Sequence, residues 1–195
     1  MSEAKANPVP DRTPVKRWAK VRLWAGYVYV ALAVSFAAPT ALTACLGFVL
    51  VILGLGVRFQ AASELTKDIV LTTSGIYAAS RHPLYLGSSL IGLGLAVVTG
   101  SMWLSLGFMA ILAPLYVRMM ALEEKYLTEL FPEAYPDYAR RVPRFFPKPG
   151  PFFAALLKRP EWQKLRTKGE LASGILILAA VTAILVWHRS WLRAF

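Results

Sequence analysis

Two stretches of 35 residues, Leu23 to Val57 and Pro83 to Val117, contain no Lys, Arg, Asp or Glu. A single α-helix of that length would run about 50 Å, against a hydrocarbon core of about 30 Å. One span per stretch is too long, whereas two tilted helices of about 17 residues fit. The break points are visible. "AAPTA" at 37–41 carries Pro39, which removes a backbone donor, and "VTGSMW" at 98–103 carries Gly100, which tolerates the dihedrals of a tight turn. Each stretch therefore reads as a helical hairpin. Leu171 to Trp187 is apolar and long enough for one more span.

The expectation is an all-α polytopic membrane protein of about five transmembrane helices, near 22–38, 40–57, 84–99, 102–118 and 171–188. A soluble domain of 195 residues is rarely 56% hydrophobic with only 17% charged residues. Under this topology residues 1–22 hold six Lys/Arg, 58–81 three and 118–168 eleven, so 20 of 22 lie on one side. Arg189 and Arg193 lie opposite, and all eleven acidic residues join the basic majority. The positive-inside rule makes that side cytoplasmic, which places the N-terminus inside.

The net charge of +11 is then topological charge plus attraction to anionic headgroups, and no nucleic-acid partner is expected. The lone Cys45 excludes an internal disulfide, and two His are too few for a Cys/His zinc site, so no metal is expected. The organisation reads as a cytoplasmic N-terminal tail, 1–22, a membrane core with a cytoplasmic pocket, 23–150, and an interfacial segment with an appended C-terminal span, 151–195. The tail is polar and basic, and the apolar run after it is too long for a cleaved signal peptide.

Between the hairpins, 58–82 extends helix two before turning at "TTSG". Apolar residues at Met119, Leu122, Tyr126, Leu127 and Leu130 continue helix four as an amphipathic segment. The six prolines of 132–153 predict loop and short turns over the membrane face, and 154–170 reads as a basic interfacial helix. The two 35-residue stretches do not match position by position, so a repeat carries little weight.

Polar residues gather at one membrane boundary: Tyr77, Arg81, His82 and Tyr85 at the mouth of helix three, and Glu123 and Glu124 at the far end of helix four. In an antiparallel hairpin these are neighbours. Pro83 suits the first helical position, so the free N–H groups of helix three and Arg81 face the cytoplasm and favour an anionic group. Glu123 and Glu124 could receive an ammonium group or ribose hydroxyls. Taken singly, Arg81 also fits a snorkelling anchor and the Glu pair a solvated helix end.

"GIYAASRHPLYLG" at 75–87, then "EEKYLTELFPEAYPDYARRVPRFFP" at 123–147, resembles the isoprenylcysteine carboxyl methyltransferase family and the related phospholipid N-methyltransferases. The pattern is Gly-x-Tyr-x-x-x-Arg-His-Pro-x-Tyr-x-Gly, then Glu-Glu, then Phe-x-x-x-Tyr-x-x-Tyr ending in Val-Pro-Arg. The resemblance covers about 40–147 and is strongest over 72–147. It implies an integral membrane enzyme using S-adenosylmethionine, with a cofactor pocket built from cytoplasmic helix ends and the C-terminal loop.

Carried over residue by residue, it places Tyr77, Arg81, His82, Tyr85, Gly87, Glu123, Glu124, Tyr135 and Tyr138 at the cofactor, with Gly75 shaping the preceding loop. Glu124 and Arg144 become the catalytic candidates. Arg144 suits a substrate carboxylate, since a guanidinium pairs bidentately with one, and equally suits a lipid phosphate. Two departures affect the cap: Phe131-Pro132 stands where the family usually has Phe-Gly, and Pro136 separates the two tyrosines.

The implied acceptor is a lipophilic small molecule or lipid-linked group, either a carboxylate or an amine as in phosphatidylethanolamine, with membrane lipids as surroundings. A membrane NADPH-dependent reductase is the rival reading, because sterol reductases carry a similar Arg-His-Pro-x-Tyr segment, though generally with more spans. A non-catalytic membrane scaffold is a third. No G-x-G-x-x-G fingerprint follows a strand-like segment, which excludes a soluble Rossmann methyltransferase. The glycines of "GLGV" at 54–57 and "GLGLA" at 92–96 suit close helix packing.

Overall fold

The computed structural model describes residues 10–66 and 70–193, with side-chain surroundings through 186. Residues 1–9 of the expected tail, 67–69 of the connector and the side chains of Arg189 and Arg193 lie outside the described residues. Among the described residues there is no strand. The helices are α1 (Thr13–Phe36), α2 (Ala41–Glu64), α3 (Pro83–Val98), α4 (Met102–Leu130), α5 (Ala134–Arg141), α6 (Pro149–Leu156), α7 (Trp162–Thr167) and α8 (Glu170–Arg193), with a 3-10 turn over Gly75–Ala78 before α3. Two of them, α2 and α4, are long and apolar enough to cross a membrane, while α3 and Glu170–Val186 of α8 are shorter apolar helices.

Helix starts follow local chemistry. Pro14 lies in the first turn of α1, so residues 13–22, expected as tail, are the first turns of the helix that carries the apolar stretch. At the predicted break, Thr40 caps α2 by accepting from Thr43 N while Thr43 Oγ1 accepts from Thr40 N. The second break turns through Gly100 at φ +66°, and Ala38 N donates to Thr99 O at 2.8 Å. The two turns therefore meet at one end of the bundle, and a Cβ on Gly100 would strike Ala38 O.

The expected pairing within the first stretch is corrected. The tightest contact is between α2 and α3, while α1 lies against α4 and α8. Four glycines explain this. A Cβ at Gly47 would lie 2.5 Å from Gly94 O, and one at Gly54 would lie 2.7 Å from Gly87 O. The reciprocal distances, from Gly94 and Gly87, are 2.7 and 2.8 Å. Two Gly–Gly pairs, seven residues apart on each antiparallel helix, let the backbones touch. Below this seam, Tyr29, Ala33, Val51, Ile91, Phe108, Val181 and their neighbours form the principal buried cluster.

The expected basic helix over 154–170 is also corrected: α6 ends at Leu156 and α7 begins at Trp162. Pro160 lies in the gap, and a proline disfavours helix in the residue before it. The six-proline segment folds as predicted into short elements, α5 and α6. The start of α8 is tied to α2 twice. Arg58 Nε donates to Glu170 Oε2 at 2.8 Å, and Lys168 Nζ donates to the α2 C-terminal carbonyls of Ala62 and Leu65 at 2.7 and 2.6 Å.

Candidate functional site

Pro83 opens α3 with buried His82 immediately before it, and α4 runs on past its apolar stretch to bring Glu123 and Glu124 alongside. His82 Nε2 lies 3.2 Å from Glu124 Oε1 and His82 Nδ1 lies 3.9 Å from Glu123 Oε2. A carboxylate only accepts, so in that hydrogen bond Nε2 carries the proton. Arg81 Nη1 reaches the same Glu124 Oε1 at 2.9 Å, and Arg144 Nη2 reaches Glu124 Oε2 at 3.1 Å. One carboxylate thus gathers two guanidinium groups and an imidazole.

Backbone bonds deliver Arg144 to this cluster. Arg81 N donates to Pro143 O at 2.9 Å, and Lys148 N donates to Ala79 O at 3.0 Å. Ser80 Oγ donates to Phe145 O at 3.0 Å and accepts from His82 N at 3.3 Å. The C-terminal loop is therefore pinned to the segment that carries Arg81 and His82. From α5, Tyr138 donates to Tyr77 O at 2.7 Å, and Tyr135 accepts from Arg81 Nη1 at 3.5 Å.

A cavity of about 70 Å³ opens beside the cluster, lined by Tyr77, Arg81, His82, Tyr85, Glu123 and Tyr138 among others. The Tyr77 hydroxyl and Arg81 Nε are buried without a hydrogen-bond partner among the described residues. Gly87, expected at the cofactor, instead faces α2 in the glycine seam, where a Cβ would meet Gly54 O and Arg58. Tyr135 stays outside the cavity lining and touches it through its contact with Arg81. Glu124 holds the ion pairs, while Glu123 faces the cavity. No cluster of three potential metal ligands occurs among the described residues.

Electrostatics separate the roles. Burial pushes Tyr77 well above the ordinary phenol range, reinforced by the charge of Glu123. Burial likewise takes Tyr135 up to about 12, with the Glu124 charge adding to it, and raises Tyr138. All three are neutral hydrogen-bonding groups at physiological pH. Burial works to raise Glu124, but the His82 hydrogen bond and the charges of Arg81 and Arg144 outweigh it, so this carboxyl sits below its ordinary value.

Glu64, Ser80 and Arg12 carry no sequence flag strong enough to single them out, whereas Gly75 does. Glu64 Oε2, at the end of α2, accepts from Ile76 N at 2.7 Å, and its Oε1 accepts from Gln60 Nε2 at 2.7 Å. Gly75 has φ +60°, and any Cβ there would collide with the Glu64 carboxylate. That carboxylate takes the space a side chain would occupy, and Gly75 supplies the left-handed turn. Ser80 pins the loop, and Arg12 lies 4.8 Å from the Tyr126 ring centroid while lining the cavity.

A second cavity of about 560 Å³ runs between α3 and α4, walled by Leu90, Leu93, Met109, Leu112 and other apolar residues. Arg144 and Phe146 line it too, so one guanidinium borders both the polar cluster and an apolar groove.

Residues 21–134 match the family model described as phospholipid methyltransferase. The chain is 36% identical over 86 residues to a protein-S-isoprenylcysteine O-methyltransferase of Schizosaccharomyces pombe, covering 44% of this chain and 36% of that protein. It is 32% identical over 120 residues to the Saccharomyces cerevisiae protein of that name, covering 55% and 50%. It is also 39% identical over 82 residues to a cobalt-zinc-cadmium resistance protein of Cupriavidus metallidurans, covering 42% and 38%. The chain thus spans between about a third and half the length of these relatives. No solved structure matches. The family match ends before Tyr135, Tyr138, Arg144 and α8.

Proposed function

The chain belongs to the phospholipid methyltransferase family, and from that premise we propose that it transfers a methyl group from S-adenosylmethionine to a lipophilic or lipid-linked acceptor within the membrane. The observation that carries this reading is the convergence of Arg81, His82 and Arg144 on Glu124, with Glu123 and Tyr77 facing the adjoining cavity. In this reading α1, α2, α3, α4 and α8 each span the bilayer, and the basic residues put the N-terminus and the site on the cytoplasmic side.

The donor set suits the cofactor in kind. The start of α3 and the unpartnered Nε of Arg81, whose Nη1 is held by Glu124, favour a carboxylate, Glu123 offers negative charge to a cation, and the Tyr77 hydroxyl is a buried donor lacking a partner among the described residues. The cavity of about 70 Å³ is smaller than a nucleoside, so binding requires its walls to move apart. Bound there, S-adenosylmethionine supplies a methyl already activated on a sulfonium. The residues then have to align the acceptor and exclude water.

The groove between α3 and α4 suits the acceptor's tail, with Arg144 at its head for a carboxylate. Such a carboxylate competes with Glu124 for that guanidinium. A carboxylate acceptor needs no base, whereas an amine must lose a proton, for which His82 or Glu124 is placed. Relatives named for isoprenylcysteine favour the first and the family description favours the second.

Calorimetry of the detergent-purified protein against S-adenosylmethionine and, separately, NADPH tests the reading. Saturable binding of S-adenosylmethionine without NADPH binding is the expected result. Binding of NADPH alone would establish the reductase reading instead, and binding of neither would leave a scaffold.

A further inference from the structure

We infer that the cavity between α1, α3 and α8 binds an anionic phospholipid, with its phosphate on Arg22 and its acyl chain against α8. The inference rests on the membrane placement proposed above and not on the identity of the methyl acceptor.

This cavity, about 380 Å³, is separate from the candidate cofactor cavity. Tyr116 lines the one and Tyr85 the other, and their rings stack edge to face with centroids 5.8 Å apart. Two cationic side chains stand at its mouth. Arg58 is satisfied, since it bonds Glu170 at 2.8 Å and donates from Nη1 to Ser88 Oγ at 2.6 Å. Arg22 is half-buried, and no carboxylate pairs with it among the described residues. Two guanidinium groups against one carboxylate leave a positive charge at the mouth, where burial makes an anionic partner favourable.

The depth profile selects the ligand. Arg22 begins the apolar part of α1 and Arg58 ends that of α2, so both lie at the same membrane boundary. Two turns further in, about 10 Å along α1, Tyr29 lines the cavity, and its buried hydroxyl has no hydrogen-bond partner among the described residues. The other walls are largely apolar, with Leu95, Leu112, Leu176 and Ile177. A phosphate at Arg22, an ester carbonyl accepting from Tyr29 and a hydrocarbon chain beyond reproduce the order of a glycerophospholipid. A free phosphate would leave the apolar floor unfilled, and a fatty acid would bring only one polar group.

The cavity opens sideways through Leu23, Tyr27 and Leu176, which are 50%, 54% and 66% exposed. A lipid therefore enters from the leaflet, and anionic lipids are abundant on the cytoplasmic face. Glu170 and the far wall come from α8, which lies outside the family match over 21–134. Arg22, Tyr29 and Arg58 lie within that match, so the site joins residues of the matched segment to a wall from α8.

Native mass spectrometry of the detergent-released full chain, titrated with phosphatidylglycerol, phosphatidylcholine, oleate or inorganic phosphate, reads the site directly. The expected result is one retained phosphatidylglycerol, with at least tenfold weaker retention of the other three. Arg22→Gln should cut phosphatidylglycerol retention about tenfold, Tyr29→Phe should cut it less, and exposed Arg118→Gln should leave it unchanged. Each variant is first checked for wild-type helix content and monodispersity. Equal retention of phosphatidylcholine, equal retention of oleate, or equal losses for Arg22→Gln and Arg118→Gln would overturn the inference. S-adenosylmethionine affinity, measured on the same samples, reports on the methyltransferase reading independently.

Discussion

Glu124→Ala is expected to weaken S-adenosylmethionine binding at least tenfold and to lower the midpoint of thermal unfolding in detergent. The Glu124 carboxylate neutralises Arg81 at 2.9 Å and Arg144 at 3.1 Å and accepts from His82 at 3.2 Å. Removing it leaves two guanidinium groups facing each other with no shared counter-charge. For a fully buried pair such a deletion costs about 3–5 kcal/mol. Here Glu124 is 21% and Arg144 37% exposed, so water screens part of the loss and about 2 kcal/mol is the reasonable figure. Glu124→Gln keeps the shape but not the charge and should fall between. Glu129→Ala, five residues on and paired among the described residues only with exposed Lys125, is the control and should change neither quantity. Calorimetry and a melting curve on each variant check this.

Gly54→Ala should destabilise the protein, whereas Gly56→Ala, two residues away, should not. The new methyl at 54 would lie 2.7 Å from Gly87 O and 2.8 Å from Ile91 N, both backbone atoms that cannot turn aside. The α2–α3 seam must open, at about 1–3 kcal/mol. Nothing lies within 4 Å of a methyl at Gly56, where alanine should stabilise the helix by about 0.5–1 kcal/mol. Because α3 begins with Pro83 and its first turn is clamped through Gly87, opening the seam also moves His82. Gly54→Ala should therefore weaken cofactor binding despite lying outside the site. Combining it with Gly87→Ala should cost less than the sum, since both methyls open the same contact.

How far the site could be read from sequence follows from geometry. Each 35-residue apolar stretch must turn once, which returns its two ends to one membrane face. That turn places Arg81 and His82 beside Glu123 and Glu124, and His82 lies 3.2 Å from Glu124. The division of labour between the two glutamates was not legible, because neighbours on a helix point about 100° apart and only the packing decides which faces the cavity. Arg144 could be nominated by its Val-Pro-Arg setting, yet the backbone bonds that deliver it, from Arg81 and Lys148, leave no trace in residue types.

The helix partners were harder still. Gly47 and Gly54, like Gly87 and Gly94, stand seven apart, a spacing that signals a close helix face. Small residues show that a helix approaches something closely without naming the partner, so pairing within each stretch is the expectation; α3 does pack on α4, but α2 packs on α3 rather than on α1. The motif points Gly87 at the cofactor, and its packing against Gly54 accounts for it instead. Glu64 was invisible for a similar reason, since its bond to Ile76 N depends on where a turn of twelve residues closes.

Ultraviolet crosslinking of S-adenosylmethionine carrying a labelled methyl, followed by peptide mapping, tests the central claim most directly. The account predicts label within 77–85 or 119–127, displaced by excess unlabelled S-adenosylmethionine and lost in Glu124→Ala. Label confined to other segments, or no displaceable label while the intact protein retains its helices, would contradict it.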